Sequence, residues 1–408
     1  MKNMVLICFV LPPRGTLFNK SLVTSLILFS SYANPEEPPQ LYPQSIKIKV
    51  PDDEHVAHAI ELLVNDLKNG SYGIQPQLGV DKNRLNNLCS FFSEKIEKKV
   101  SVDAESILSA YVQYVKILAE RKCLIKELQQ AMNEFKDGYP NDAKICNIPM
   151  LNRLMPEFME GIRTFGGVGM SSVSSRFQFS RMRIGPHSAC FGIMGIWAGF
   201  IAFQDNFEYY IFPDFYVTPS LSKEISNISE VLRRIATELK RRPPTHLPTL
   251  ALLVALSTIG FPKVSRMYEM VVISGGMFRI DLLESDFPLS SENYLAFADS
   301  LKNTCESEAT VKRLLNLLKS ALEQPATGES LLRKLRDIGL RTSQLITMCL
   351  MQAISPDQMA YEIARLFYAQ SDIDFEKYAR KREAFLYPGD VSCILRAIER
   401  LRENKGIY

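Results

Sequence analysis

No two of the eight cysteines in this 408-residue chain form a C-x-x-C pair. Cys8, Cys89, Cys123, Cys146, Cys190, Cys305, Cys349 and Cys393 are spread along its whole length. A secreted disulfide scaffold is shorter and denser in cysteine, so reduced, mostly buried thiols are expected. Histidine is also scarce. His187 and Cys190 are spaced like two metal ligands, but no second pair completes a zinc site, and no metal is assigned. G-x-x-x-x-G-K-[ST], G-x-S-x-G and H-E-x-x-H are all absent, so no catalytic residue and no cofactor is assigned. Asp281, Glu284 and Asp286 follow a strand-like stretch and read as solvated loop acids before they read as a cation site.

Long apolar runs are missing too. Leu17 to Tyr32 is interrupted by Asn19 and Lys20. Ala189 to Phe203 and Leu247 to Phe261 fall short of the roughly 20 residues that a spanning helix needs. All three suit buried core helices. Leu22 to Phe29, with Ser31-Tyr32-Ala33 behind it, also has the outline of a signal peptide. The competing reading is a strand over Val5 to Leu11, a turn at Pro12 to Gly15 and a short helix near Leu17 to Phe29. The lack of disulfide logic elsewhere favours that structural reading. A membrane-associated or exported protein with short apolar helices is the alternative that these stretches leave open.

What is present is a globular chain. Hydrophobic residues at 46% against 23% charged can build a core, which excludes disorder on a large scale. The net charge of +3 is too small to indicate nucleic acid by itself, so a basic surface must come from clustering. The fold class read from the pattern is α+β and helix-rich, with a mixed portion over 1–289 and an α-helical bundle over 290–408.

The mixed portion opens with Pro35, Pro38, Pro39 and Pro43 as a linker, then an alternating strand over Ile46 to Val50. Val56, Ile60, Leu63, Val64 and Leu67 share one helical face that ends at Gly70. Two helices are expected over 81–136, the second running through Lys122, Lys126 and Glu127. Leu221 to Lys240 is amphipathic along Ile225, Ile228, Leu232, Ile235 and Leu239. Met270 to Leu282 reads as a hairpin around Gly275-Gly276. In the bundle, one stripe runs over Val311 to Leu318. A second runs from Leu331 to a stop at Gly339, and Met359, Ile363 and Phe367 mark a third. Asp390 caps a last helix carrying Val391 to Leu401.

The chemistry-bearing stretch is 166–216. A Gly/Ser loop leads into Arg176-Phe177-Gln178-Phe179-Ser180-Arg181-Met182-Arg183-Ile184, then an apolar segment with the only tryptophan, Trp197, then an aromatic run from Phe207 to Tyr216. Side chains alternate along a strand, so Phe177, Phe179, Arg181 and Arg183 project from one face. Rings that stack bases beside guanidinium groups that hold phosphates are what a single-strand-binding surface requires. Core-facing phenylalanines with snorkelling arginines are the competing reading. Two further clusters could contact phosphate. Lys240, Arg241 and Arg242 end the amphipathic helix. Lys377, Arg380, Lys381 and Arg382 precede the last helix, which carries Arg396 and Arg400 one turn apart. Helix-dipole pairing and a solvated helix face account for the same charges.

The mixed N-terminal part, the central Ala189-Cys190-Phe191-Gly192 and Trp197-Ala198-Gly199, and the basic helical C-terminal part together resemble the large subunit of archaeal type I-A CRISPR effector complexes. The resemblance implies a non-catalytic, cytoplasmic subunit of a crRNA-guided antiviral surveillance complex. Its partners would be crRNA, target DNA and other subunits of the complex, with no membrane. Such subunits contact the guide's 5′ end, read the short motif beside the target and help to open the DNA, while base pairing reads the sequence. Arg176, Arg181 and Arg183 are backbone-contact candidates and Phe177 and Phe179 stacking candidates on their local pattern, not on a matched family position.

Overall fold

A computed structural model describes residues 4–12, 16–70, 72, 74–76, 78, 82–131, 148–149, 183–204, 207–214, 228–239, 246–261, 268–276, 279–288, 292–305, 308–323, 328–368 and 373–404. The fold is helix-rich α+β with small antiparallel sheets, as the sequence pattern indicates. Two compact units emerge, one from 1–241 and 269–287, the other from 242–268 and 288–408.

The first unit opens with β1 (Val5–Val10) and α1 (Leu17–Ala33), followed by β2 (Gln40–Tyr42) and β3 (Ser45–Val50). These strands form an antiparallel sheet of order β1-β3-β2, with Ile7 opposite Ile48. α1 is the core. Fifteen of its 17 residues are buried, polar ones included. Most of its polar groups find partners, which is what makes such burial tolerable, while the buried Thr24 hydroxyl has none among the described residues. Ser21, Ser25 and Ser30 donate to carbonyls three residues back. The Asn19 amide donates to the Pro12 carbonyl at 2.8 Å. Lys20 pairs with Glu269 at 2.8 Å.

On α1 pack α2 (Asp53–Lys68), α6 (Pro186–Gly199) and α7 (Ile228–Leu239), while α3 (Lys82–Ile96) packs on α4 (Ala104–Glu120), and α4 and α5 (Leu124–Ala131) pack on α2 and α6. All five apolar residues expected on the α2 face are buried, and Gly70 takes a left-handed φ of +80° behind it. α6 is buried along its whole length, which explains why its apolar residues show no helical stripe. The long helix expected to run through Lys122 is instead two. Lys122 adopts φ +55°, Cys123 N–H donates to Leu118 O and Lys122 N–H to Ala119 O, a Schellman closure. Asp53 then accepts the Ile125 N–H at 2.7 Å, within the first turn of α5.

β4 (Ile148–Pro149) pairs with β5 (Arg183–Ile184), and a four-stranded sheet follows in the order β6 (Phe200–Gln204), β7 (Phe207–Pro213), β8 (Tyr268–Gly276) and β9 (Arg279–Pro288). The last two are neighbours as the expected hairpin requires, but Gly275 and Gly276, expected to form its turn, are the last residues of β8. Asp281, Glu284 and Asp286 lie within β9, not after it.

The second unit holds α8 (Leu247–Ser257) with α9 (Glu292–Thr304), α10 (Glu308–Leu322), α11 (Ser330–Leu350), α12 (Pro356–Tyr368), α13 (Ile373–Lys381) and α14 (Pro388–Asn404). Gly339 does not end a helix. It lies mid-way along α11, where an added Cβ would come 2.8 Å from both Ala321 Cβ and Leu317 O. The glycine is there for close helix approach. Cys305 and Cys393 form a disulfide across 88 residues with Cα atoms 5.8 Å apart, within bridging range. The expectation of uniformly reduced thiols does not hold for this pair, whose proximity arises from packing of α9 on α14 and not from sequence spacing. Among the described residues no helix is long and apolar enough to cross a membrane. Two of the three apolar stretches fill cores as α1 and α8, and the third does so as α6 running into β6.

Candidate nucleic-acid interface

Of the basic-aromatic strand, β5 supplies Arg183 and Ile184. Ile184 is buried and Arg183 half-buried on the opposite face, as strand alternation requires. Arg176, Phe177, Phe179 and Arg181 lie outside the described residues, as do Lys240, Arg241 and Arg242. Of the aromatic run, Tyr210 and Phe212 are buried in β7 with rings stacked at 6.0 Å, and Phe207 and Tyr209 are half-buried.

The C-terminal cluster is fully described. Lys377, Arg380 and Lys381 are exposed on α13, and Arg396 and Arg400 are exposed on α14. Their environments differ. Arg380 pairs with Glu376 one turn earlier, and its guanidinium lies over the rings of Phe385 and Tyr387 at 5.4 and 5.2 Å. Arg382 pairs with Glu323 at 2.6 Å and lies over Tyr378 at 5.1 Å. Arg400 donates to the Asn303 carbonyl at 3.4 Å. Lys377, Lys381 and Arg396 form no ion pair among the described residues. Exposed pairs such as Arg380–Glu376 contribute about 0–1 kcal/mol, so a phosphate can compete for that guanidinium.

Asp390 ties this region together. It is buried at the start of α14 and accepts from Arg313 Nε at 2.8 Å, Arg313 Nη2 at 2.7 Å and Thr310 Oγ1 at 2.6 Å. It also accepts the Tyr387 N–H at 2.8 Å, capping the helix from inside its first turn. Arg313 and Arg380 both lie over the Tyr387 ring.

A second row of cations was not singled out by sequence reasoning. Arg333, Lys334, Arg336 and Arg341 occupy one stretch of α11 with a single acid, Asp337, among them. The signal was readable as a local charge excess, but the same residues flank the Leu332–Leu335–Ile338 stripe and pass for its solvated side. Arg233 on α7 was also missed. It donates to Asp66 and to the Tyr32 hydroxyl, and lies over the Tyr72 ring at 5.9 Å. Burial pushes the Tyr32 hydroxyl up to about 12, so it stays protonated beside Asp66.

His187 and Cys190 belong to the interior. His187 Nδ1 lies 2.9 Å from the Tyr111 hydroxyl, and Nε2 lies 3.7 Å from Glu127 Oε2, which accepts from Tyr114 at 3.0 Å. The His187 ring, with the Tyr114 hydroxyl, holds the Glu127 carboxyl below its ordinary range against the opposing effect of burial. Burial pushes the Cys190 thiol well above its ordinary range, which makes it a poor nucleophile and a poor metal ligand. Among the described residues no group of three His, Cys, Asp or Glu side chains is arranged to hold a metal ion.

No protein-family model matches the chain, and no curated protein shows significant sequence similarity to it.

Proposed function

We propose that this chain is a non-catalytic nucleic-acid-binding protein that holds a polynucleotide backbone through cations on its helical second unit. Within that class, the reading is a subunit of a crRNA-guided antiviral surveillance complex in the cytoplasm, contacting guide RNA and target DNA beside other subunits. The layout of a mixed first part, a Gly/aromatic centre and a basic helical end supports the narrower reading.

One observation carries the broader one. Lys377, Lys381 and Arg396 are exposed and unpaired among the described residues, beside an arginine that already lies over two aromatic rings. Unneutralised cations release counterions from a polyanion on binding, whereas paired ones first lose their carboxylate. Arg380 over Phe385 and Tyr387 adds a flat guanidinium of the kind that stacks on bases.

The test is a triple variant, K377A/K381A/R396A, in a fluorescence-anisotropy titration against single-stranded RNA. All three side chains are exposed, so the thermal midpoint should hold. The expected result is weaker binding and a shallower dependence on salt, by about 0.7 in log–log slope for each lost contact. Identical affinity and slope in the variant would remove this surface from the reading.

A further inference from the structure

A concave surface of about 350 Å³ opens on the second unit between α11 and α12, lined by none of the residues used above. Its walls carry Arg333, Lys334 and Arg341 against one acid, Asp337, and its floor carries Ile338 and Leu366. Both floor residues are buried, so the bottom is apolar while the rim is cationic. Arg333 and Arg341 are exposed and form no ion pair among the described residues, even though Asp337 lies one turn from each. Lys334 is held in place, its ammonium 4.9 Å from the centre of the Phe375 ring on α13.

We infer that this cleft binds the backbone of a single-stranded nucleic acid, with Arg333 and Arg341 on phosphates and the Ile338–Leu366 floor under a base or sugar. The inference rests on the nucleic-acid reading proposed above and extends it to a second contact region. Three physical points favour this occupant. Arg333 and Arg341 form no ion pair among the described residues, so a polyanion meets them without first displacing a carboxylate. The two arginines lie eight residues apart on one helix, about 12 Å along its axis. A stacked strand advances about 3.4 Å per nucleotide, so they meet phosphates some three to four nucleotides apart. The site is also recessed with an apolar floor. That suits an unpaired strand with exposed base faces better than a duplex, which offers only phosphates at its rim.

The experiment measures binding of labelled oligouridine and of a mixed-sequence DNA duplex by anisotropy, between about 50 and 200 mM salt. The proteins are the full chain, R333A/R341A and R333K/R341K. For oligouridine, R333A/R341A is expected to lower the salt slope by about 1.4 and to weaken binding roughly tenfold at low salt. R333K/R341K should keep the slope, because the charges remain. Circular dichroism melts should be unchanged, since both arginines are exposed. If the full chain binds oligouridine and R333A/R341A binds it with the same slope and affinity, the cleft is overturned and the wider reading stands. Binding of the duplex alone overturns the single-strand assignment. Failure of the full chain to bind either probe overturns the cleft and the wider reading together.

Discussion

The Cα of Gly195 faces the backbone of Ser21 so closely that an added Cβ would come 1.8 Å from the Ser21 carbonyl oxygen and 2.4 Å from its carbon. Both neighbours are main chain, so no side chain can swing aside. α1 and α6 are in backbone contact there, and the first unit is built on that crossing. Gly195→Ala is expected to destabilise the protein by about 3 kcal/mol or more, the upper end of overpacking penalties. Chemical denaturation of the purified variant measures this, and a midpoint equal to the parent's would mean that the helices do not meet as described.

Asp390 joins α10 to α14 through Arg313 and Thr310. Removing one partner of a buried pair leaves the other charge without compensation. Arg313 keeps part of its surface in water, which reduces the cost. Asp390→Ala is expected to cost about 2–4 kcal/mol, and Thr310→Val about 1 kcal/mol. Thermal denaturation of the two single variants checks the order. A milder effect for Asp390→Ala than for Thr310→Val would contradict the geometry.

Among the described residues, four helices end on a left-handed residue that is not glycine: Glu97, Lys122, Gln352 and Glu383. Gln352 is exposed, and its N–H and that of Ala353 close the end of α11 onto Cys349 and Met348 carbonyls. Glycine adopts this conformation without the steric cost of a Cβ. Gln352→Gly is therefore expected to stabilise the protein by about 0.5–1 kcal/mol, read as a rise in thermal midpoint. A fall in the midpoint would contradict the assigned φ of +63°.

These helix ends show where sequence reasoning stops. The buried face of α2, the β8–β9 hairpin and the two strands that became β1 and β3 were legible, because periodicity and turn residues are local, whereas the pairing of β1 with β3 is long-range and was not read. A Schellman closure on lysine or glutamine leaves no such mark, so α4 was read through Lys122. Gly339 was read as a stop, since only the packing of α10 against α11 reveals that it is a contact. The candidate interface was legible as positions and not as states. Lys377 and Arg382 look alike in a row of cations, yet Glu323, far away in sequence, neutralises only one of them. The Cys305–Cys393 bridge and the Arg233–Asp66 pair likewise join distant stretches and leave no local trace.

His246 begins α8 with an accepting Nδ1, 2.8 Å from Thr249 Oγ1 and 3.4 Å from the Thr249 amide. Burial holds its pKa below the ordinary 6.5. Above that value both folded and unfolded chains are neutral here, so stability is unaffected. As pH falls below about 6.5 the unfolded chain takes the proton first, and stability declines until the folded pKa is passed. The expected loss is about 1 kcal/mol or less, because the ring is partly solvated. Urea midpoints near pH 7 and pH 5 should differ less in His246→Asn, which keeps a capping oxygen, than in the parent. An equal difference in both would remove His246 from the pH response.

The proposed role depends on whether this chain holds a polynucleotide electrostatically. The most direct measurement is the salt dependence of oligouridine binding by the unmodified protein, read by anisotropy. With at least three phosphate contacts, the expected log–log slope is about −2 or steeper. No binding at about 50 mM salt, or binding with a slope near zero, would contradict the account.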